Sequence, residues 1–127
     1  MKKVRGYNFS RSFMGERVPQ HVQNIVIKDY CRNYNLNFLM SVSEYSMDNS
    51  FYILNELLDN LKGIYGIVAY SLFQMPSEDQ ERIKIFKKLL KNKKKIFFAC
   101  ENLKIANQND IDRIENIWLV KKGIFKK

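Results

Sequence analysis

Between Ser10 and His21 the chain brings together Ser10, Arg11, Ser12, Glu16, Arg17, Gln20 and His21, the last being its only histidine. An arginine offers a planar fork of donors that matches the oxygens of a phosphate or carboxylate. Two arginines and two hydroxyls so close together form a candidate anion site, with Ser10, Arg11, Ser12, Arg17 and Gln20 as ligand-binding residues. His21, with an ordinary pKa of about 6.5, is the natural proton donor or acceptor near neutral pH. Glu16 and Glu44 compete for that role. The structural alternative is an ion pair between Glu16 and Arg17 at the surface, with His21 packing at the start of a helix.

The elements around this segment define where it sits. Val4 to Phe9 reads as a short strand. Pro19 suits the first turn of a helix, where its missing N–H is not needed. Val22, Ile25, Val26, Tyr30 and Cys31 recur at helical spacing across Gln20 to Tyr34, so this stretch is predicted to be an amphipathic helix. Leu36 to Val42 is a nearly continuous apolar run, as in a strand covered on both faces. A helix is predicted from about Ser50 to Leu61, ended by Gly63, and a buried strand from Ile64 to Leu72. A third helix, capped near Ser77, runs to about Lys93. Ile96 to Cys100 is the next strand, Glu101 to Asn109 a loop, and Asp110 to Val120 a final helix with Ile111, Ile114, Ile117 and Trp118 facing inward.

This alternation predicts a single α/β domain spanning residues 1–127. It has three layers around a parallel sheet of four or slightly more strands, in a flavodoxin-like or resolvase-like arrangement. Such sheets place ligands at the carboxyl ends of their strands. Besides Ser10 to His21, two more strand ends carry polar groups. Glu44 and Tyr45 follow the second strand and would face the first loop if the two strands are neighbours. Tyr70, Ser71 and Gln74 end the third, where hydroxyl and amide would bind sugar-like hydroxyls and Phe73 or Met75 would cover an apolar ring face.

Other chemistry is argued against by what is missing. The chain has no glycine-rich Walker loop, no GxGxxG after a strand, no GxSxG elbow and no CxxC or HExxH pair. No cofactor and no metal is therefore expected. Cys31 and Cys100 stand in predicted regular elements without a partner at ligand spacing and read as reduced core thiols. Met1 to Arg5 is basic but leads into a strand, and no apolar run approaches the ~20 residues of a membrane span. The expected location is cytoplasmic, with no membrane partner. The formal net charge is +9, but the lysines concentrate at Lys87, Lys88, Lys91, Lys93, Lys94 and Lys95 and at the C-terminus. Lysines at a helix end complement its dipole and stay solvated, which argues against nucleic acid as the partner.

Two stretches are similar to known families. Gly6-Tyr7-Asn8-Phe9-Ser10-Arg11-Ser12-Phe13-Met14-Gly15-Glu16-Arg17-Val18-Pro19-Gln20-His21-Val22-Gln23-Asn24, with Gly66-Ile67-Val68-Ala69-Tyr70-Ser71-Leu72-Phe73-Gln74-Met75-Pro76, resembles the characteristic segments of the sporadic carbohydrate cluster proteins. These are small bacterial proteins encoded among surface-polysaccharide genes. The resemblance covers most of the chain and implies a part in making or modifying an unusual sugar.

A weaker resemblance is to the catalytic domain of serine recombinases, where a Gly-Tyr-containing first strand leads into a serine-bearing loop and a Gln-rich helix. Ser10 or Ser12 would occupy the nucleophile region, though neither falls at the family's usual offset. Ser71-Leu72-Phe73-Gln74-Met75-Pro76 replaces that family's arginine-rich exit, and the length leaves no room for a DNA-binding domain.

The leading expectation is a cofactor-independent isomerase, epimerase or lyase acting on an anionic sugar, either a sugar phosphate or a nucleotide sugar. Arg11 and Arg17 would clamp charge while His21 or Glu16 moves a proton. The alternatives are a non-catalytic binding or scaffold subunit working with other enzymes of a sugar pathway, and a recombinase-like nucleic-acid-binding domain. A homo-oligomer is expected, because a site built from short loops gains walls by association.

Overall fold

The computed structural model describes residues 2–125; Met1 and two lysines of the C-terminal basic run, Lys126 and Lys127, lie outside the described residues. The elements are β1 (Lys3–Phe9), α1 (Gln20–Asn33), β2 (Asn37–Glu44), α2 (Tyr52–Leu58), β3 (Gly66–Ala69), α3 (Asp79–Lys91), β4 (Lys95–Phe98), β5 (Leu103–Ile105) and α4 (Gln108–Phe125). A single 3₁₀ turn, Leu72–Gln74, follows β3. One sheet runs in the order β2-β1-β3-β4-β5. Its first four strands are parallel and β5 lies antiparallel to β4.

Alternation along the strands divides the core in two. Tyr7, Phe9, Ile67, Ala69, Ile96 and Phe98 face α2, α3 and α4, whose Leu54, Leu57, Ile85, Phe86, Leu89, Ile111 and Ile114 close that side. Val4, Val68 and Phe97 face α1, which contributes Ile27, Tyr30 and Cys31. Right-handed crossovers account for the division. The chain steps from β1 outward to β2 on one face, then returns past β1 to β3 on the other. The order therefore reverses between β1 and β3, and their carboxyl ends flank the crevice where such sheets hold ligands.

A buried cation ties the second layer together. Arg82 is fully buried, donates to the carbonyls of Pro76 at 3.0 Å and Ser77 at 3.2 Å, pairs with Glu115 and Asp79, and lies over the Trp118 ring. A buried guanidinium is tolerated only when its donors are used in this way. The cluster locks the β3 exit to α3 and α4.

Several expectations are corrected. The Leu36–Val42 run is not covered on both faces: β2 is an edge strand, and its Leu39 and Met40 are exposed. Val22 and Ile25 of α1 also face outward, because α1 rests on the sheet through Gln23, Ile27, Tyr30 and Cys31. The predicted loop after β4 contains β5, and β3 ends at Ala69, giving way to the 3₁₀ turn. α3 begins at Asp79 without a side-chain cap from Ser77. Cys31 is buried as expected, but Cys100 is exposed beyond the end of β4; both are free thiols. No helix among the described residues is long and apolar enough to cross a membrane.

Candidate functional site

The site forms where β1 ends. Beyond Phe9 the chain makes a narrow hairpin, with Phe13 and Glu16 exchanging backbone hydrogen bonds of 2.9 and 3.0 Å. Its two central residues, Met14 and Gly15, both have positive φ (52° and 76°), as a tight primed turn requires. The hairpin sets Phe13 edge-on against Phe9 and Tyr70. It leaves Ser12, Glu16 and Arg17 exposed before α1 starts behind Pro19.

Buried amides hold this exit in place. Gln23 receives the Phe9 N–H (3.0 Å) on its side-chain oxygen, and its amide donates to the carbonyls of Phe9 (2.9 Å) and Val18 (2.8 Å). The same oxygen accepts from the Gln74 amide at 2.8 Å, linking the exits of β1 and β3. Ser71 and Gln74 cap the 3₁₀ turn reciprocally. Ser71 also donates to Glu101 at 2.8 Å, and the other Glu101 oxygen accepts the Leu72 N–H at 2.7 Å. Ser71 and Gln74 are both buried, so their polar atoms serve this network and are not turned toward a ligand.

β1 and β2 are neighbours, so the second strand end meets the first. Ser10 donates to the Glu44 carbonyl (2.8 Å) and Arg11 to the Tyr45 carbonyl (2.8 Å). The contact therefore runs through main-chain oxygens. The Glu44 carboxylate turns inward, where it accepts from the Tyr7 hydroxyl (2.9 Å), the Tyr45 N–H (3.1 Å), Ser50 (3.2 Å), and the Ile53 and Leu54 N–H groups (both 3.0 Å). A carboxylate supplied from β2 thus caps the start of α2, where the helix dipole favours negative charge. Tyr7 titrates far above the ordinary tyrosine range, chiefly through burial and then through the adjoining Glu44 charge.

The other expected residues stay at the surface. His21 and Gln20 are exposed on the first turn of α1, and among the described residues neither makes a side-chain hydrogen bond. Tyr45 stacks on Tyr52 and is half-exposed. Tyr70 packs against Phe13, and burial pushes its hydroxyl up to about 12. The structure thus brings Ser10, Arg11, Ser12, Arg17 and Gln20 to one strand end and turns Glu44, Ser71 and Gln74 into its internal supports. Arg11 lies over the Phe9 ring, 4.1 Å from its centroid, and beside Phe51 at 5.2 Å. Ser10 and Arg17 line one shallow cavity with Gln20, while Arg11 and Ser12 line another with Phe51, Phe73 and Trp118. No group of histidines, cysteines and carboxylates able to hold a metal occurs among the described residues.

The sequence gives no signal that Gln23, Glu101 and Trp118 belong to the site, whereas Phe73 and Met75, expected to cover a ring face, do line a cavity. Gln23 stood on the polar face of a predicted helix, which gave no sign that it faces a strand exit. Trp118, at an inward position of the final helix, carries only a core signal in the sequence.

The chain was compared with known proteins at three levels. No protein-family model and no curated protein matches it. Among solved structures, the N-terminal catalytic domain of TP901-1 integrase superposes with a TM-score of 0.74 at 12% identity, over 97% of this chain and 98% of that one. A resolvase family site-specific recombinase from Streptococcus pneumoniae gives 0.67 at 7% identity, over 97% and 91%. The fold is resolvase-like.

At these identities the likeness concerns the fold. It agrees with the weaker of the two sequence resemblances, and the carbohydrate-cluster resemblance finds no support. The expectation of an isomerase, epimerase or lyase in surface-polysaccharide sugar synthesis is withdrawn, together with its anionic sugar substrate. The neighbours are recombinase and integrase domains, and the hydroxyl and amide expected to grip a sugar at the β3 exit are internally bonded. The same likeness overturns the expectation that nucleic acid is not a partner.

Proposed function

We propose that this chain is a nucleic-acid-binding domain built on the resolvase architecture, gripping a phosphodiester at the carboxyl end of β1. The observation that carries the reading is the placement of two arginines where β1 gives way to α1, Arg17 lining a cavity with Ser10 and Arg11 a second with Ser12, Phe9 being common to both. The unpaired N–H groups at the start of that helix add a partial positive charge. Arg17 is free to swing onto a phosphate. Arg11 uses one donor on the Tyr45 carbonyl and keeps the rest of its fork for an anion. Ser12 and Gln20 supply neutral donors, and Glu16 and His21 sit at the rim.

Two further features support the reading. The fold neighbours are described as an integrase catalytic domain and a site-specific recombinase. The net charge of +9 favours encounter with any polyanion, since a positive field raises association rates. The geometry supports binding more than strand cleavage. The Ser10 hydroxyl proton is engaged by the Glu44 carbonyl, and the stretch from Ser71 to Pro76 contains no arginine to neutralise a reacting phosphorus centre.

Fluorescence anisotropy with labelled single-stranded and duplex DNA, from about 50 to about 200 mM salt, tests this. The expected result is a linear fall of log affinity with log salt. Arg11→Ala and Arg17→Ala should each weaken binding and lower the slope by about 1. Absence of binding at the lowest salt, or affinity indifferent to both arginines, overturns the reading. A covalent DNA adduct lost in Ser12→Ala would show that cleavage accompanies binding.

A further inference from the structure

A cavity of about 370 Å³ opens beside Arg11, at the small end of the range for ligand pockets, about 300–1,000 Å³. Its apolar walls are Phe9, Phe13, Phe51, Phe73 and Trp118 with two methionines. Phe9 and Phe51 belong to one ring cluster, and Phe73 lies edge-on to Trp118 with centroids 5.1 Å apart. Its polar lining is Arg11, Ser12, Asp48, Asn49 and Ser77. Trp118 is 2% exposed, and its indole N–H has no hydrogen-bond partner among the described residues. Aromatic walls beside a guanidinium fit a flat ring that stands next to a negative charge.

We propose that this cavity receives one unstacked nucleobase of a single-stranded nucleic acid, with the neighbouring phosphate on Arg11. The inference rests on the nucleic-acid reading above and specifies its substrate as single-stranded. Every base has a stacking face, so ring stacking binds a strand without regard to sequence. The Arg11 guanidinium is fixed between the Tyr45 carbonyl and the Phe9 ring at the cavity edge. Base and phosphate of one nucleotide are thereby engaged together. The Asn49 amide on the rim meets the edge of the base.

Trp118 is the only tryptophan and reports on the cavity directly. The test compares a short single-stranded oligonucleotide with an abasic one of equal length, using the unmodified chain at low salt. The natural strand should shift the tryptophan emission and bind about tenfold more tightly, and the abasic strand should leave the emission unchanged. Phe73→Ala should reduce the natural strand to the abasic affinity while keeping the salt slope. Equal affinity for the two strands, or tight binding of the natural strand with unchanged emission, overturns the base pocket and leaves salt-dependent phosphate binding standing. Failure of both strands to bind overturns the pocket and the nucleic-acid reading together.

Discussion

Replacing Glu44 with glutamine keeps the shape of the side chain but removes its charge and turns one acceptor into a donor. Glu44 is 1% exposed, so water cannot repair the change. If the new amide takes the position facing Tyr45 and Ile53, it opposes two backbone N–H groups. If it takes the other position, it opposes only the Leu54 N–H, and the Tyr7 hydroxyl can rotate to accept. The second arrangement is favoured and leaves Leu54 unpaired, at about 1–3 kcal/mol. The retained bonds from Tyr45, Ile53 and Ser50 lose their charge assistance, at about 1 kcal/mol in sum after crediting the lower cost of burying an uncharged group. The expected destabilisation is therefore about 2–4 kcal/mol. It should appear in urea unfolding followed by far-UV circular dichroism as a lower midpoint with an unchanged slope. A loss below about 1 kcal/mol would refute the view that Glu44 caps α2 from β2, since ordinary surface substitutions fall in that range.

Other outcomes follow from the same packing. A Cβ at Gly66 would press on the Lys95 carbonyl oxygen of the adjoining strand; Gly66→Ala should cost about 3 kcal/mol, measured by the same unfolding, and a neutral result would contradict the β3–β4 register. Burial pushes the Cys31 thiol up to about 11 and, with the neighbouring Tyr34 and Cys31, the Tyr30 hydroxyl up to about 12. The folded chain then keeps protons that the unfolded chain releases from about pH 8.5 upward. Stability should be intact below that pH and fall as pH rises through the folded values, and an unfolding midpoint flat from about pH 8 to about pH 11 would refute this. A thiol reagent at neutral pH should label Cys100 in the native state and Cys31 only after unfolding. Native labelling of both would show that α1 does not seal its face of the sheet.

Much of the architecture could be read from the chain because its local signals agree with the final structure. Alternating apolar runs and helical periods specify β1, α1, α3 and α4, and short connections with right-handed crossovers leave few ways to assemble them. β5 was illegible because three residues carry no usable period and pair only because β4 lies alongside. The exposure of β2 was illegible for a related reason. An apolar run records composition, while an edge position depends on which strands stand beside it.

The Ser10–His21 segment divides in the same way. Its residue types, and its place after a strand, were determined by sequence alone, and they carry the expectation of an anion. Only the tertiary structure decided that Glu44 faces inward as a helix cap, that Ser71 and Gln74 are consumed by Glu101 and Gln23, and that Trp118 forms a cavity wall beside Arg11. A side chain's chemistry belongs to the residue, but whether that chemistry is offered to a ligand or used within the protein depends on donors and acceptors brought up from distant parts of the chain.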